Sequence, residues 1–355
     1  MKKYIVVFMS LVTLVLIFCT KQPTKAKPKE SIGLFPVVLN GKWGYIDKNG
    51  VLVINPQFDE VSKFSEGLAR VRVNDKYGYI DKNGKMVIDK QFDEAGGFFE
   101  GLAAVKIGGS KTGKWGYIDK TGKIVISPQF EVKKVFSFME LFEEVVETGV
   151  STGRFSEGLA EVRIGDKWGY IDKIGDYVVN PQFDDVSLFS EGLAGVEIGD
   201  KWGYINKTGE YVINLQFDYA GSFSEGLAAV EIGGKRGYID KTGMIVINPQ
   251  FDDARDFTEG LAVVRIGELG TGRWGHINKQ GKYEVNPQFD YAGPFSEGLA
   301  VVSIGDKYGY IDKTGKFIIN PQFDYAEDFL EGVAEAKLGD KWGYIDKSGK
   351  YLESY

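Results

Sequence analysis

Short runs in which apolar and polar residues alternate, separated by glycine-bearing turns, recur from Gly33 onward. Residues 158–191 read GLAEVRIGDKWGYIDKIGDYVVNPQFDDVSLFSE. In 159–164, Ala160, Val162 and Ile164 fall on one face and Glu161 and Arg163 on the other, the period of two of a half-buried strand. Gly165-Asp166 turns the chain into a second strand over 168–172, with Trp168 and Tyr170 on one face and Gly169 and Ile171 on the other. Gly169 there leaves room for a neighbouring ring or backbone. A third strand over 177–180, like 316–320 in another unit, is expected to stop at Pro181 or Pro321, since proline donates nothing to a ladder. Pro-Gln-Phe-Asp then opens a connector that ends in Phe-Ser-Glu-Gly. Phe183 and Phe189 read as pegs holding that connector to the sheet, and Glu191 as an acceptor for backbone amides at the following turn.

Laid on itself, the chain shows the same unit nine times. The Trp-Gly pair or a stand-in falls at Trp43, Tyr77, Trp115, Trp168, Trp202, Arg236, Trp274, Tyr308 and Trp342, at spacings of 34, 38, 53, 34, 34, 38, 34 and 34. The six tryptophans, Trp43, Trp115, Trp168, Trp202, Trp274 and Trp342, occupy that one position and are expected to serve the core of the repeat. The second turn reads DKNG at Asp47 and Asp81, DKTG at Asp119, Asp240 and Asp312, and DKSG at Asp346. An acid or amide opening a turn with glycine in the left-handed position is the chemistry of a short hairpin loop. A calcium loop is the rival, but the lysine inside and the lack of a downstream ligand series favour a structural turn.

Composition narrows the function classes. With one cysteine and one histidine, a disulfide framework, a Cys/His zinc site and a histidine relay beyond His276 are excluded. His276 stands where other units carry Tyr170 or Tyr204 and reads as a substituted core aromatic. The net charge of −7, with lysines dispersed among acids, gives no basic stripe for nucleic acid. Paired acids such as Asp184 and Glu191 recur in nearly every unit, whereas an active site needs one special place, so no catalytic residue, metal or cofactor is expected.

Lys2 and Lys3 precede an apolar run over 5–18, too short for a spanning helix and suited to an export signal. Leu16-Ile17-Phe18-Cys19 resembles a lipobox, which implies acylation of Cys19, although Phe18 stands where that motif prefers a small residue. An uncleaved signal anchor is the alternative. Residues 20–32, polar, rich in lysine and twice broken by proline, read as a tether between the signal (1–19) and the repeats (33–355).

The recurrent KWGYIDKxGxxVINPQFDxAxxFSEGLAxVxIG resembles the signature of bacterial WG-repeat (KWG-repeat) proteins over nearly everything after Ser31. That resemblance implies an all-β repeat protein, often secreted or lipid-anchored, with no established enzymatic role. Units with so little core must stack on neighbours. The expected architecture is an array of nine three-stranded antiparallel meanders in an open β-solenoid or superhelix. The alternative is a β-propeller that uses the connector as a fourth strand, for which 34 residues are few and nine blades exceed the usual ~4–8.

Three departures from the period stand out. Residues 107–115 and 266–274 lengthen the first hairpin loop by four residues each, and an insertion at about 132–150 lengthens the third connector. Apolar positions in that insertion, among them Phe136, Phe138, Met139 and Phe142, fit a short amphipathic helix and form a candidate contact surface. Together these readings predict a non-enzymatic, monomeric, exported and membrane-anchored lipoprotein that holds an unidentified protein or cell-envelope component, periplasmic or at the cell surface. A glycan or cell-wall binding module is the alternative.

Overall fold

The computed structural model describes residues 33–109, 112–130 and 153–352. The expected signal and tether with Cys19, and the insertion with Phe136, Phe138, Met139 and Phe142, lie outside the described residues. Contacts divide the chain into Met1–Ile32 and Gly33–Tyr355, and the repeats form the second unit.

Each repeat builds one small antiparallel sheet, and nine such sheets occur among the described residues. We number them as blades 1 to 9, spanning residues 34–58, 60–92, 94–130, 160–183, 185–217, 219–251, 253–289, 291–323 and 325–346. Blade 5 is representative: Asp185–Val186, Leu193–Ile198, Lys201–Asn206 and Tyr211–Phe217 lie side by side in chain order. The connector after Pro-Gln-Phe-Asp thus adds the first strand of the next blade. It is only two residues long here and six in Asp253–Thr258 of blade 7, which is how 34 residues suffice for four strands. The second strand is buried along most of its length, while the fourth alternates exposed and buried residues and faces outward.

The fourth strand does not stop at proline, as the sequence suggested. It runs Tyr177–Phe183 and Phe317–Phe323, through Pro181 and Pro321. Trp168 pairs with Phe183 but Tyr170 with Val179, so the fourth strand bulges at 180–182. A bulge on an outermost strand needs no donor from proline. Gly169 lies beneath it, where a Cβ would come within 2.4 Å of the Val179 carbonyl oxygen. The room that glycine leaves is therefore for backbone.

The two faces of each blade differ, and that difference drives stacking. Tyr204, Ile213 and Phe217 from one face of blade 5 pack against Ala220, Ala228, Val230 and Ile239 from blade 6, with Phe223 of the connector between them. Large side chains meet small ones, so the sheets interdigitate at the density of a protein interior. The pegs behave as expected: Phe183 and Phe189 are buried, and Phe189 meets Tyr170 edge-on at 4.8 Å.

The repeats close into a nine-bladed β-propeller and do not form an open solenoid or superhelix. Nine units in an open stack have eight interfaces, but nine clusters are present. The ninth joins Val333 and Tyr344 of blade 9 to Phe35 and Ile46 of blade 1. There the Tyr344 hydroxyl donates to the Pro36 carbonyl at 3.0 Å, and its ring lies 5.2 Å from Phe35. Lys63 and Glu327, from the connectors that follow Val61 in blade 2 and Ala326 in blade 9, also pair at 3.4 Å.

Candidate functional site

Most recurrent polar groups have a structural partner in the adjacent blade. The hydroxyl of the Trp-x-Tyr tyrosine donates to a connector carbonyl seventeen residues on, as Tyr204 does to Gly221 at 2.7 Å. The aspartate of Pro-Gln-Phe-Asp pairs with the lysine of its own unit and accepts an amide from the next hairpin, as Asp218 does with Lys201 (2.6 Å) and Gly233 (2.8 Å). Both contacts hold its carboxyl below the usual carboxylate range. The Asp-Lys-x-Gly turns use their acid internally: Asp172 Oδ1 accepts from the amides of Ile174 and Asp176. Among the described residues no three His, Cys, Asp or Glu side chains converge as metal ligands do.

The glutamate of Ser-Glu-Gly shows what such a contact is for. Glu191 and Gly192 both have positive φ (53° and 88°), the backbone of a tight type I′ hairpin turn. A glutamate is strained in that conformation. Its carboxylate accepts from Gly226, the equivalent glycine one repeat later, at 3.1 Å, and pairs with Lys241 at 2.9 Å. The turn is therefore held from the neighbouring blade, and the acceptor role expected of Glu191 is met one repeat further along.

Four positions depart from this equivalence. His276 is fully buried and takes the tyrosine's place, with Nε2 donating to the Gly293 carbonyl at 2.9 Å while Nδ1 has no partner. Burial pushes its pKa down to about 4. Arg236, in a tryptophan position, pairs with Asp253 at 2.5 Å and Glu231 at 3.3 Å and lies 4.3 Å from the Tyr219 ring centroid. Arg70, 5% exposed, donates to the Ala95 carbonyl at 2.7 Å and pairs with Glu60 at 3.0 Å. Glu161, at the equivalent position in blade 4 and also 5% exposed, has no hydrogen-bond partner for Oε2. Burial raises its pKa to about 8, against the opposing effects of nearby amides and Arg154.

The tryptophans expected in the core divide. Trp115, Trp168 and Trp274 are buried, Trp43 and Trp202 are half-buried, and Trp342 is 39% exposed. Trp342 ends a row of rings that the sequence reading missed. Tyr291 to Tyr308, Tyr308 to Tyr325 and Tyr325 to Trp342 have centroid separations of 6.1, 5.8 and 5.4 Å, all tilted by 54–57°. The even step of seventeen residues, half a repeat, is the signal that marks them in the sequence. Arg255 extends the row, lying 4.7 Å from the Trp274 ring and 5.4 Å from Tyr291, and Lys337 lies 5.2 Å from Trp342. Beside the row are Glu327, Asp328 and Glu335. Burial and the Glu327 charge push Asp328 up to about 6, against Arg255 and Lys63, and the same two causes raise Glu335. Tyr325 is pushed up to about 12 by burial, with Glu327 and Glu335 among the nearby charges that add to it.

Nine four- or three-stranded meanders in a closed ring define a repeat β-propeller. The chain belongs to the WG containing repeat family, matched at residues 43–77, 77–110, 115–138, 151–168, 168–202, 202–235, 237–269, 274–308 and 308–342. No curated protein matches it. Among solved structures it is similar to PorZ, described as a bacterial surface component of the type-IX secretion system of Porphyromonas gingivalis, at 10% identity and a TM-score of 0.36. That likeness covers 88% of this chain and 46% of PorZ, so the chain spans less than half of that protein. It is also similar to Hsv2p of Kluyveromyces lactis, at 10% identity and a TM-score of 0.41 over 82% of this chain and 98% of that one. A third is the extracellular domain of the putative hybrid two-component system BT4673 of B. thetaiotaomicron, at 9% identity and 0.34 over 92% and 54%.

Proposed function

We propose that this propeller is a non-enzymatic scaffold, exported and held at the cell envelope by a lipid on Cys19, whose loops bind a protein partner. The observation that carries the reading is the use of the recurrent acids, lysines and tyrosines in bonds between blades, as from Tyr204 to Gly221, from Gly233 to Asp218 and between Lys241 and Glu191. Groups tied up in ninefold equivalent structure are poor candidates for one reacting centre. What differs from blade to blade is the loop and insertion content, the feature that rigid repeats commonly present to partners.

The test has two arms. Crosslinking on cell envelopes, with and without residues 132–150, reads the partner set. A changed set supports the insertion as a contact, and an unchanged set overturns that role. Fatty-acid labelling of the full chain and of Cys19→Ala reads the anchor. Label that persists in the variant, or is absent from both chains, overturns lipidation at Cys19.

A further inference from the structure

Contacts between aromatic rings recur from blade to blade, but their chemistry differs in one place. Elsewhere among the described residues each contact has a phenylalanine on at least one side, as in Tyr170 with Phe189 or Phe183 with Tyr211. The three contacts of the row Tyr291, Tyr308, Tyr325 and Trp342 have none. Phenol and indole rings give up one electron to a strong oxidant, whereas a phenylalanine ring does so far less readily. The row is therefore four oxidisable rings in contact from end to end, at 5.4–6.1 Å between centroids. Electron exchange falls steeply with the gap between rings, so contact is what joins them. Access differs along the row. Tyr325 and Trp342 are each 39% exposed, while Tyr291 and Tyr308 are half-buried against the core between blades 8 and 9.

We propose that this row is a one-electron relay, in which Trp342 meets an oxygen-centred radical from the surroundings and the oxidised state passes inward to Tyr325 and Tyr308. The radical takes one electron from the indole and becomes an anion, and the indole Nε1 proton leaves to solvent. An electron from the Tyr325 phenol then fills the vacancy on the indolyl radical. The phenol O–H bond breaks and its proton leaves to solvent, while the indolyl nitrogen takes a proton back. Trp342 is thus restored and Tyr325 carries a phenoxyl radical. Exchange with Tyr308 is the same step between two phenols. The indolyl radical is the stronger oxidant of the two kinds, which sets the inward direction. Charge placement agrees with it. Lys337 lies 5.2 Å from the Trp342 ring and Arg255 5.4 Å from that of Tyr291, so a ring that has lost an electron is disfavoured at both ends. Between them, Glu335 and Glu327, the latter paired with Lys63 at 3.4 Å, lie close enough for their charges to add to the effect of burial on Tyr325. The relay goes beyond the scaffold reading and depends on neither the lipid nor the partner.

The test is pulse radiolysis of the full chain with the azide radical, which oxidises tryptophan in preference to tyrosine at neutral pH and stands in for the oxygen-centred radical. Decay of the indolyl absorption and growth of the phenoxyl absorption are followed in the wild type, Trp342→Phe, Tyr325→Phe and the double variant. In the wild type a first-order conversion is expected, at a rate independent of protein concentration. Trp342→Phe and Tyr325→Phe should each remove the same component of it. The double variant should lose no more than either, since both rings lie on one path. Tyr308→Phe should keep that component and shorten the life of the phenoxyl radical, which then stays on the more exposed Tyr325. Tyr211→Phe, whose ring is 43% exposed and outside the row, should leave every signal unaltered. Unfolding midpoints of the variants show that the propeller is intact. An unaltered conversion in Tyr325→Phe, losses that add in the double variant, an equal loss in Tyr211→Phe, or a rate that rises with protein concentration each overturns the relay. An unaltered radical lifetime in Tyr308→Phe overturns the onward step to that ring.

Discussion

Blades 2 and 3 and blades 8 and 9 fill the same repeat positions with opposite chemistry. In the first pair Glu60 meets Arg70 and Arg72, and Glu94 meets Lys106 at 2.9 Å, so each charge is matched within its own sheet. In the second pair the corresponding residues are Tyr291 and Tyr325, opposite Ser303 and Lys337. The backbone register is the same in both. Ninefold backbone equivalence therefore leaves this surface free to vary, and the side that lacks these pairs within its sheets carries a row of partly exposed rings instead.

Substituting within each side breaks this contrast. The largest effect is expected on the charge-matched side. Arg70→Met removes a buried donor to the Ala95 carbonyl and leaves Glu60 with Arg72, which should lower stability by about 2–4 kcal/mol in urea unfolding. Glu161 occupies the same position in blade 4, where burial outweighs the nearby amides and Arg154. Its native pKa of about 8 lies above the ordinary carboxyl value, so its stabilising contribution is full below that ordinary value and is lost as pH rises through about 8. Glu161→Gln should thus raise stability at pH 9 by on the order of 2 kcal/mol and change it little near pH 4, read from unfolding midpoints at both pH values.

His276→Tyr should add about 1 kcal/mol at neutral pH, because a tyrosine hydroxyl keeps the bond to the Gly293 carbonyl and the buried Nδ1 that has no partner is removed. Because burial lowers the native histidine to about 4, unfolding takes up a proton as pH falls below 6.5. The wild type should therefore lose stability between pH 6.5 and 4, and the variant should lose less over that range, as thermal scans at the two pH values would show. A comparably small effect belongs to the ring side: Tyr308→Ala should cost about 1 kcal/mol in urea unfolding, since its half-buried ring lies at the margin of the blade 8–9 core between Tyr291 and Tyr325.

Local chemistry made much of the fold readable. The period of two in 159–164, the glycine after Trp168, the Asp-Lys-x-Gly turns and the phenylalanine pegs each concern residues close in the chain or one repeat apart. Closure was not readable, because it depends on one interface between Phe35 and Ile46 and Val333 and Tyr344, three hundred positions away. Those residues look like ordinary members of their repeats, and apart from the Lys63–Glu327 pair an open stack and a ring share the other contacts. Pro181 misled for a related reason: it ends an interior strand, but on the outermost strand it sits in a bulge. The ring row escaped because its members alternate between two repeat positions and become neighbours only when strands pair within a sheet, as Tyr291 and Tyr308 flank Ser303, and successive blades stack.

Closure also restricts how such a chain can change length. Adding a repeat to an open stack disturbs only the junctions beside it, whereas a tenth wedge in a ring would alter the angle at every junction. Growth is then tolerated where it leaves the wedges alone. The extra residues follow that rule, falling in the chain between the paired Ile107 and Lys114 and between the paired Ile266 and Arg273, so the molecule diversifies between its strands while its blade count is fixed by geometry.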